Sequence, residues 1–191
     1  MEKKYEFVKD DAKTWKGRTI RRIVAIRDFD DVKEGDLGGY IESESNLSQE
    51  NTCWIYDDAA VLGDAKVRGN AKVRGNAVIY GCAKVYGSAE VYGDAKVYDD
   101  AEVFGGAVIY GRAKVYGGAE VYSGAKVYSR AKVYDNARVC GRAEVCGNAE
   151  VYGDAEVYGC VKVYDSTKVY GRAEVCGDAK VRGNAVISGG A

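Results

Sequence analysis

The chain has 191 residues, with 28 Lys and Arg against 29 Asp and Glu, six cysteines, and neither proline nor histidine. A formal charge of -1 argues against an obligate nucleic-acid coat, which carries a clear basic excess. No apolar run approaches the ~18 residues of a membrane span, and MEKKYEFVKDDAK lacks the apolar core of a signal peptide, so a cytoplasmic location is expected.

Residues 1–52 do not repeat and are expected to form a small N-terminal β cap. KKYEFV and RTIRRIVAIRDF read as strands, with KDDAKTWKGR as the connecting loop of a hairpin. KEGDLGGYIESESNLSQENTCWIYDD, residues 33–58, is turn-rich and leads into a repetitive region. A cap is needed because the end of a stacked-strand rod exposes unpaired edges and core side chains.

From 53 to 191 the chain is a hexad repeat. An aliphatic residue recurs every six positions from Ile55 to Ile187, giving 23 hexads without a slip. Two positions earlier stands a small residue, nearly always Ala, with Cys53, Val161 and Thr167 as exceptions. Two positions later comes Gly, or sometimes Asp or Ser, residues suited to tight or left-handed turns. A spacing of two puts Ala and Val on one side of a strand, and the intervening Lys or Glu and the following Tyr on the other. So short a strand buries its Val only by stacking on others. The expected fold is therefore all-β: a parallel β-solenoid with three six-residue sides, 18-residue triangular coils and about 7–8 coils. Twelve-residue, two-sided coils would also accommodate the hexad. Acidic pairs such as Asp57–Asp58 and Asp99–Asp100 read as turn residues rather than calcium ligands.

Threading the chain at three hexads per coil generates the outer faces. On one side Tyr80, Tyr98, Tyr116, Tyr134, Tyr152 and Tyr170 fall into one column, following Leu62 and preceding Ser188. The adjacent column includes Lys96, Lys114, Lys132, Glu150 and Lys168. Six aromatics in register would stack, and the strip they form is of a size that marks interfaces. The other two sides are more broken. Lys72–Glu90 and Lys126–Glu144–Lys162 are expected to pair across coils, whereas Lys96, Lys114 and Lys132 stack like charges. An anionic partner would relieve that tension. The Tyr/Lys face is thus the candidate surface for a protein, an anionic ligand or a glycan, with self-association as a further option and no strong nucleic-acid signal.

Cys53, Cys82, Cys140, Cys146, Cys160 and Cys176 match no disulfide framework or zinc spacing and read as substitutions at exposed repeat positions. No catalytic residue, metal site or cofactor is assigned.

The hexad resembles the hexapeptide-repeat, left-handed β-helix superfamily. It departs where that superfamily favours Gly or an acid after the aliphatic and this chain has Tyr. Left-handedness is implied by this resemblance alone, since the general crossover preference is right-handed. More narrowly, VAIRDFDDVKEGDLGGYIESESNLSQ followed by CWIYDDA resembles the YdcK-like group of uncharacterised bacterial and phage β-helix proteins, some labelled transferases. The superfamily's enzymes are mainly acyltransferases with a histidine base, and it includes a carbonic anhydrase with three histidines on zinc. A chain without histidine runs neither in the usual form. Solvated carboxylates in the outer row, such as Glu102 or Glu120, would be poor bases near their reference pKa of ~4.3. The expected function is a non-enzymatic scaffold or binding module. Its alternative is an acyltransferase-like enzyme with a non-histidine base. A third reading, a self-assembling filament element, rests on an ending, VISGGA, that falls inside a hexad.

Overall fold

The computed structural model describes residues 2–189; Met1 and residues 190–191, the outer limits of the two expected regions, lie outside the described residues. The hexads form 23 short strands, from β4 (Trp54–Ile55) to β26 (Val186–Gly189). Each strand pairs in parallel with the third strand after it in the chain, so that Lys96 lies beside Lys114 and Glu90 beside Val108. A coil is therefore three hexads, and twelve-residue coils are excluded. The strands lie in three sheets, one per side of the coil. The first sheet carries the Tyr80 column, the second starts at β4, and the third starts at β6 (Lys66–Val67).

Every coil is built alike. Ala113, Val115, Ala119 and Val121 are wholly buried, as are their counterparts through most of the rod. Burying one such valine contributes ~1.5–3 kcal/mol, and the small alanine two positions earlier keeps three sides close enough to share one core. The backbone is satisfied between coils: Lys114 N donates to Ala131 O and Tyr116 N to Val133 O, both at 3.0 Å. A proline at either position would delete such a bond.

The corners follow a rule of their own. From Asp57 to Gly183 the first turn residue of each hexad has φ between 54° and 85°, which glycine adopts without strain and Asp or Ser tolerates. Where Asp stands there, its carboxylate reaches the next coil. Asp57 Oδ2 accepts from Gly75 N at 2.8 Å, and Asp165 Oδ2 from Gly183 N at 3.0 Å. Longer versions join Asp99 to Gly117 (3.4 Å) and Asp135 to Gly153 (3.3 Å). These aspartates are turn clamps.

The first fifty residues extend the first sheet. β1 (Tyr5–Trp15) and β2 (Arg18–Ala25) pair antiparallel, so most of the expected loop KDDAKTWKGR is strand. It was masked by charge: between Phe7 and Ala12 the register shifts at a bulge where Asp10 has φ 62°. Only Lys16 and Gly17, both at positive φ, make the turn. β2 stops at Ala25, short of the Phe29 expected from sequence.

The turn-rich stretch contains a further strand, β3 (Leu37–Ile41), antiparallel to β2 and parallel to β5 (Ala60–Val61). β3 thus converts an antiparallel hairpin into a parallel stack. Ile41 pairs with Val61 and Leu47 with Val67, each separation two positions longer than the three-hexad step that joins Trp54 to Lys72. The first coil therefore holds two extra residues, in the bend between Leu47 and Trp54.

That bend has an internal anchor. Lys4 is fully buried, and its Nζ donates to the carbonyls of Cys53 (2.8 Å), Glu50 and Asn51 (both 3.3 Å), with Cys53 Sγ at 3.3 Å. Burial lowers the pKa of the Lys4 amine and raises that of the Cys53 thiol. Cys53 is thus no exposed substitution but part of the core end; Cys82, Cys160 and Cys176 are exposed, and Cys140 and Cys146 half-buried.

A second clasp corrects an expected ion pair. Lys72 does not pair with Glu90. It is taken by Asp30 (2.8 Å) and Asp31 (2.9 Å) of the loop after β2, whose reach across the corner is invisible to a periodic threading. Tyr56 Oη donates to Asp31 at 2.6 Å, and Arg74 lies 4.1 Å over the Tyr56 ring. The Tyr56 hydrogen bond, with that from Lys72, holds the Asp31 carboxyl well below the usual range. A depressed folded-state pKa contributes stability that is present above the unfolded value near 4 and lost as pH falls through the folded one. Asp31→Asn is expected to cost at most ~1 kcal/mol at pH 7, since these groups are half-exposed. The urea midpoints of the two proteins should draw together as pH falls below about 4, with part of the difference still present at about pH 2. Further along, Glu144 contacts Lys162 (3.5 Å) and Tyr128 Oη (3.4 Å), while the expected Lys126–Glu144 pair does not form.

Candidate functional site

The first sheet's outer face is produced by strand alternation. With Ala and Val turned inward, the residues flanking the valine face solvent in two columns per sheet. Strand spacing sets the interval between rings, and the aromatic column responds by stacking. Ring centroids are 4.8 Å apart for Tyr80–Tyr98, Tyr98–Tyr116 and Tyr134–Tyr152, 4.9 Å for Tyr116–Tyr134 and 5.0 Å for Tyr152–Tyr170, with planes within 9°. At these separations near-parallel rings are offset-stacked.

The other sheets carry shorter ladders. Tyr86–Phe104–Tyr122 runs down the third sheet and Tyr92–Tyr110–Tyr128 down the second. Cys140 and Cys146 occupy the next positions in these columns. The neighbouring thiols, together with burial, push the Tyr122 phenol up to about 12 and raise that of Tyr128. The first sheet's ladder is thus distinguished by length: six rings against three.

Its upper end is closed by a contact that sequence reading missed. Trp15, at the tip of the β1–β2 hairpin, packs 5.3 Å from Tyr80 at 52°. Lys16 Nζ lies 4.8 Å over the Trp15 ring and 5.5 Å over Tyr80. Tyr40, Ala60, Leu62 and Ile20 form a small buried cluster beneath this junction. The hairpin tip carries no local signal of its destination.

Burial by neighbouring rings pushes the Tyr98 and Tyr134 phenols up to about 12 and raises those of Tyr80, Tyr116 and Tyr152. These hydroxyls therefore stay protonated at neutral pH and can donate hydrogen bonds.

Beside the rings, Lys96 pairs with Lys114, Lys114 with Lys132, Lys132 with Glu150 and Glu150 with Lys168 in register. Lys132 is bonded to Glu150 at 2.7 Å, so it does not share the unpaired state expected from the lysine column. Lys96, Lys114 and Lys168 make no ion pair among the described residues. What the face offers is a row of phenol donors beside two adjacent like-charged rungs.

The molecule is thus a hexad-repeat parallel β-solenoid with a hairpin-capped end and a long aromatic ladder. No protein-family model matches the chain. Over 48 residues it is 50% identical to the uncharacterized acetyltransferase YdcK of Escherichia coli K12. That stretch is 25% of this chain and 15% of the length of that relative. Among the described residues, no helix is long and apolar enough to cross a membrane.

Proposed function

We propose that this solenoid is a binding module whose first sheet engages an extended anionic partner along the Tyr/Lys face. The observation carrying the reading is the Lys96–Lys114 step. Like charges on adjacent rungs are mutually unfavourable, and neither lysine has an acid partner among the described residues. Adjacent rungs elsewhere attract, as in Lys84–Glu102 (2.6 Å) and Lys132–Glu150 (2.7 Å), or repel, as in Glu156–Glu174 and Lys162–Lys180; the Lys96–Lys114 step is the one that runs beside the six-ring ladder. A polyanion laid along the column would neutralise both lysines, with the phenol hydroxyls donating to its oxygens. The repeat supplies the match: equivalent groups recur at the strand spacing, which suits a linear partner better than a compact one.

The test is equilibrium binding of heparin, as a probe polyanion, to the wild type and to Lys114→Glu. The expected result is binding that weakens as salt rises, with the variant about tenfold weaker or more. Equal binding by the two proteins would refute the assignment of this face.

A second reading, acyl transfer, draws support from the name of the relative matched over 48 residues. Since that match covers a small part of the relative, the activity is a proposal here. Acetyl-CoA turnover by the purified chain, lost on changing a single carboxylate, would favour it over the binding module.

A further inference from the structure

We infer that the third sheet carries a separate site, near the capped end, for a nucleoside phosphate: a flat aromatic ring bearing phosphate groups. The site is a cleft of about 420 Å³ lined by Lys66, Arg68, Lys84 and Tyr86, with the corner glycines Gly69 and Gly87. A volume of this size lies within the range of small-ligand pockets.

The ring-binding element is the end of an aromatic stack. Tyr86 lies 4.9 Å from Phe104 at 3°, and Phe104 continues to Tyr122. On its other side the column continues with Arg68 rather than an aromatic residue. The three faces differ here. On the first sheet Trp15 covers Tyr80; on the second Arg74 lies over Tyr56 and leaves the end ring Tyr92 uncovered, but only the Tyr86 end borders a cleft with Lys66, Arg68 and Lys84. Arg68 makes no such contact with Tyr86, whose ring lines the cleft. A planar base placed there would extend the ladder by one step, and base–aromatic stacking is favourable for any base.

The anion-binding element is the charge around that ring. Lys66 pairs in register with Lys84, another like-charged step, and Arg68 stands beside Lys66. Neither Lys66 nor Arg68 makes an ion pair or side-chain hydrogen bond among the described residues. Glu102 fixes the floor, accepting from Lys84 Nζ at 2.6 Å and from Tyr86 Oη at 3.0 Å. Lys66, Arg68 and Lys84 outnumber Glu102 and the nearby Asp100, leaving a net charge of about +1 that suits a phosphate-bearing rather than a neutral nucleoside. Arg68 and Gly69 also line a neighbouring, more polar cleft with Ser45, Ser48 and Gln49, where a sugar has hydroxyl and amide partners; Glu44 and Glu50 line it too, so the phosphates belong on the Lys66–Lys84 side.

The experiment is calorimetric titration of the full chain with ADP, adenosine and inorganic phosphate. The expected result is one ADP per chain, with adenosine and phosphate each at least tenfold weaker, because each supplies only half of the contacts. Lys66→Glu combined with Arg68→Glu should weaken ADP at least tenfold, and Tyr86→Ser should weaken it without restoring affinity for phosphate alone. Lys114→Glu, on the other face, should leave ADP affinity unchanged, so that failure here and failure of the polyanion reading remain distinguishable. The inference is overturned if ADP does not bind at millimolar concentration, if phosphate alone binds as well as ADP, or if the Lys66/Arg68 double variant binds ADP as the wild type does.

Discussion

Lys4→Met is expected to lower the free energy of unfolding by about 3 kcal/mol. The amine is fully buried and is the shared donor for the carbonyls of Glu50, Asn51 and Cys53. These carbonyls turn inward because the first coil holds two residues more than the others, and the added chain has no strand partner to satisfy it. Methionine matches the length and apolar stem of lysine but donates nothing, so it leaves inward-facing acceptors unsatisfied, each worth ~1–3 kcal/mol. Urea denaturation of the two proteins measures the difference. Because stacked repeats unfold by parts, the loss should appear first in tryptophan fluorescence, since Trp15 and Trp54 both lie at the capped end, and less in the far coils. A variant as stable as the wild type would mean that water or backbone rearrangement replaces the ammonium.

Gly39→Ala is the second large effect, expected to cost about 2–3 kcal/mol. A Cβ at Gly39 would run into the carbonyl oxygen of Ala59, the acceptor for Tyr40 N at 2.9 Å. One at Gly38 would stand 2.6 Å from both Ile23 and Trp54. At this pair the hairpin sheet is laid against the first coil, and only bare backbone fits. Gly106→Ala is the matched control. The nearest atoms there are 3.9 Å away, so the change should be neutral or slightly stabilising. Measuring both by thermal or urea unfolding separates close approach from a general intolerance of added methyl groups.

How far the molecule was legible in its sequence depended on whether the controlling contact was periodic. Val115 and Ala113 declare their burial through a spacing of two, and their coil through a spacing of 18, so the rod, its core and the stacking of Tyr98 on Tyr116 could be read in advance. The hexad by itself accommodates coils of 12 as well as 18 residues; pairing such as Lys96 with Lys114 decides it.

What could not be read were contacts made once. Lys4 is one of two adjacent lysines in a charged N-terminus, and nothing local sends it into the core. Lys72 seemed destined for Glu90 because threading places the two on adjacent rungs. Asp30 and Asp31, reaching in from a non-repeating loop, take it first. Trp15 reaches Tyr80 only because a bulge at Asp10 gives β1 its length and direction, and a charged bulge reads as a loop. The candidate face was therefore half legible. Its ten residues follow from periodicity, while its closed upper end and the removal of Lys132 by Glu150 required coordinates. The cleft at Tyr86 was not legible at all, since threading does not reveal that Arg68 leaves the ring in the next coil unstacked.

On the proposed reading, the first sheet keeps an unfavourable lysine step because that step holds an anion. Measuring the unfolding midpoint and the heparin affinity of Lys114→Glu on the same preparation puts both halves of that trade to the test. The substitution turns Lys96–Lys114–Lys132 into an alternating column, and such exposed pairs are worth up to ~1 kcal/mol. Opposite signs are predicted: a midpoint raised by about 1–3 °C in the absence of ligand, with binding weakened about tenfold or more. A midpoint that falls, together with unchanged binding, would contradict the reading and return the lysine column to the status of an ordinary solvated face.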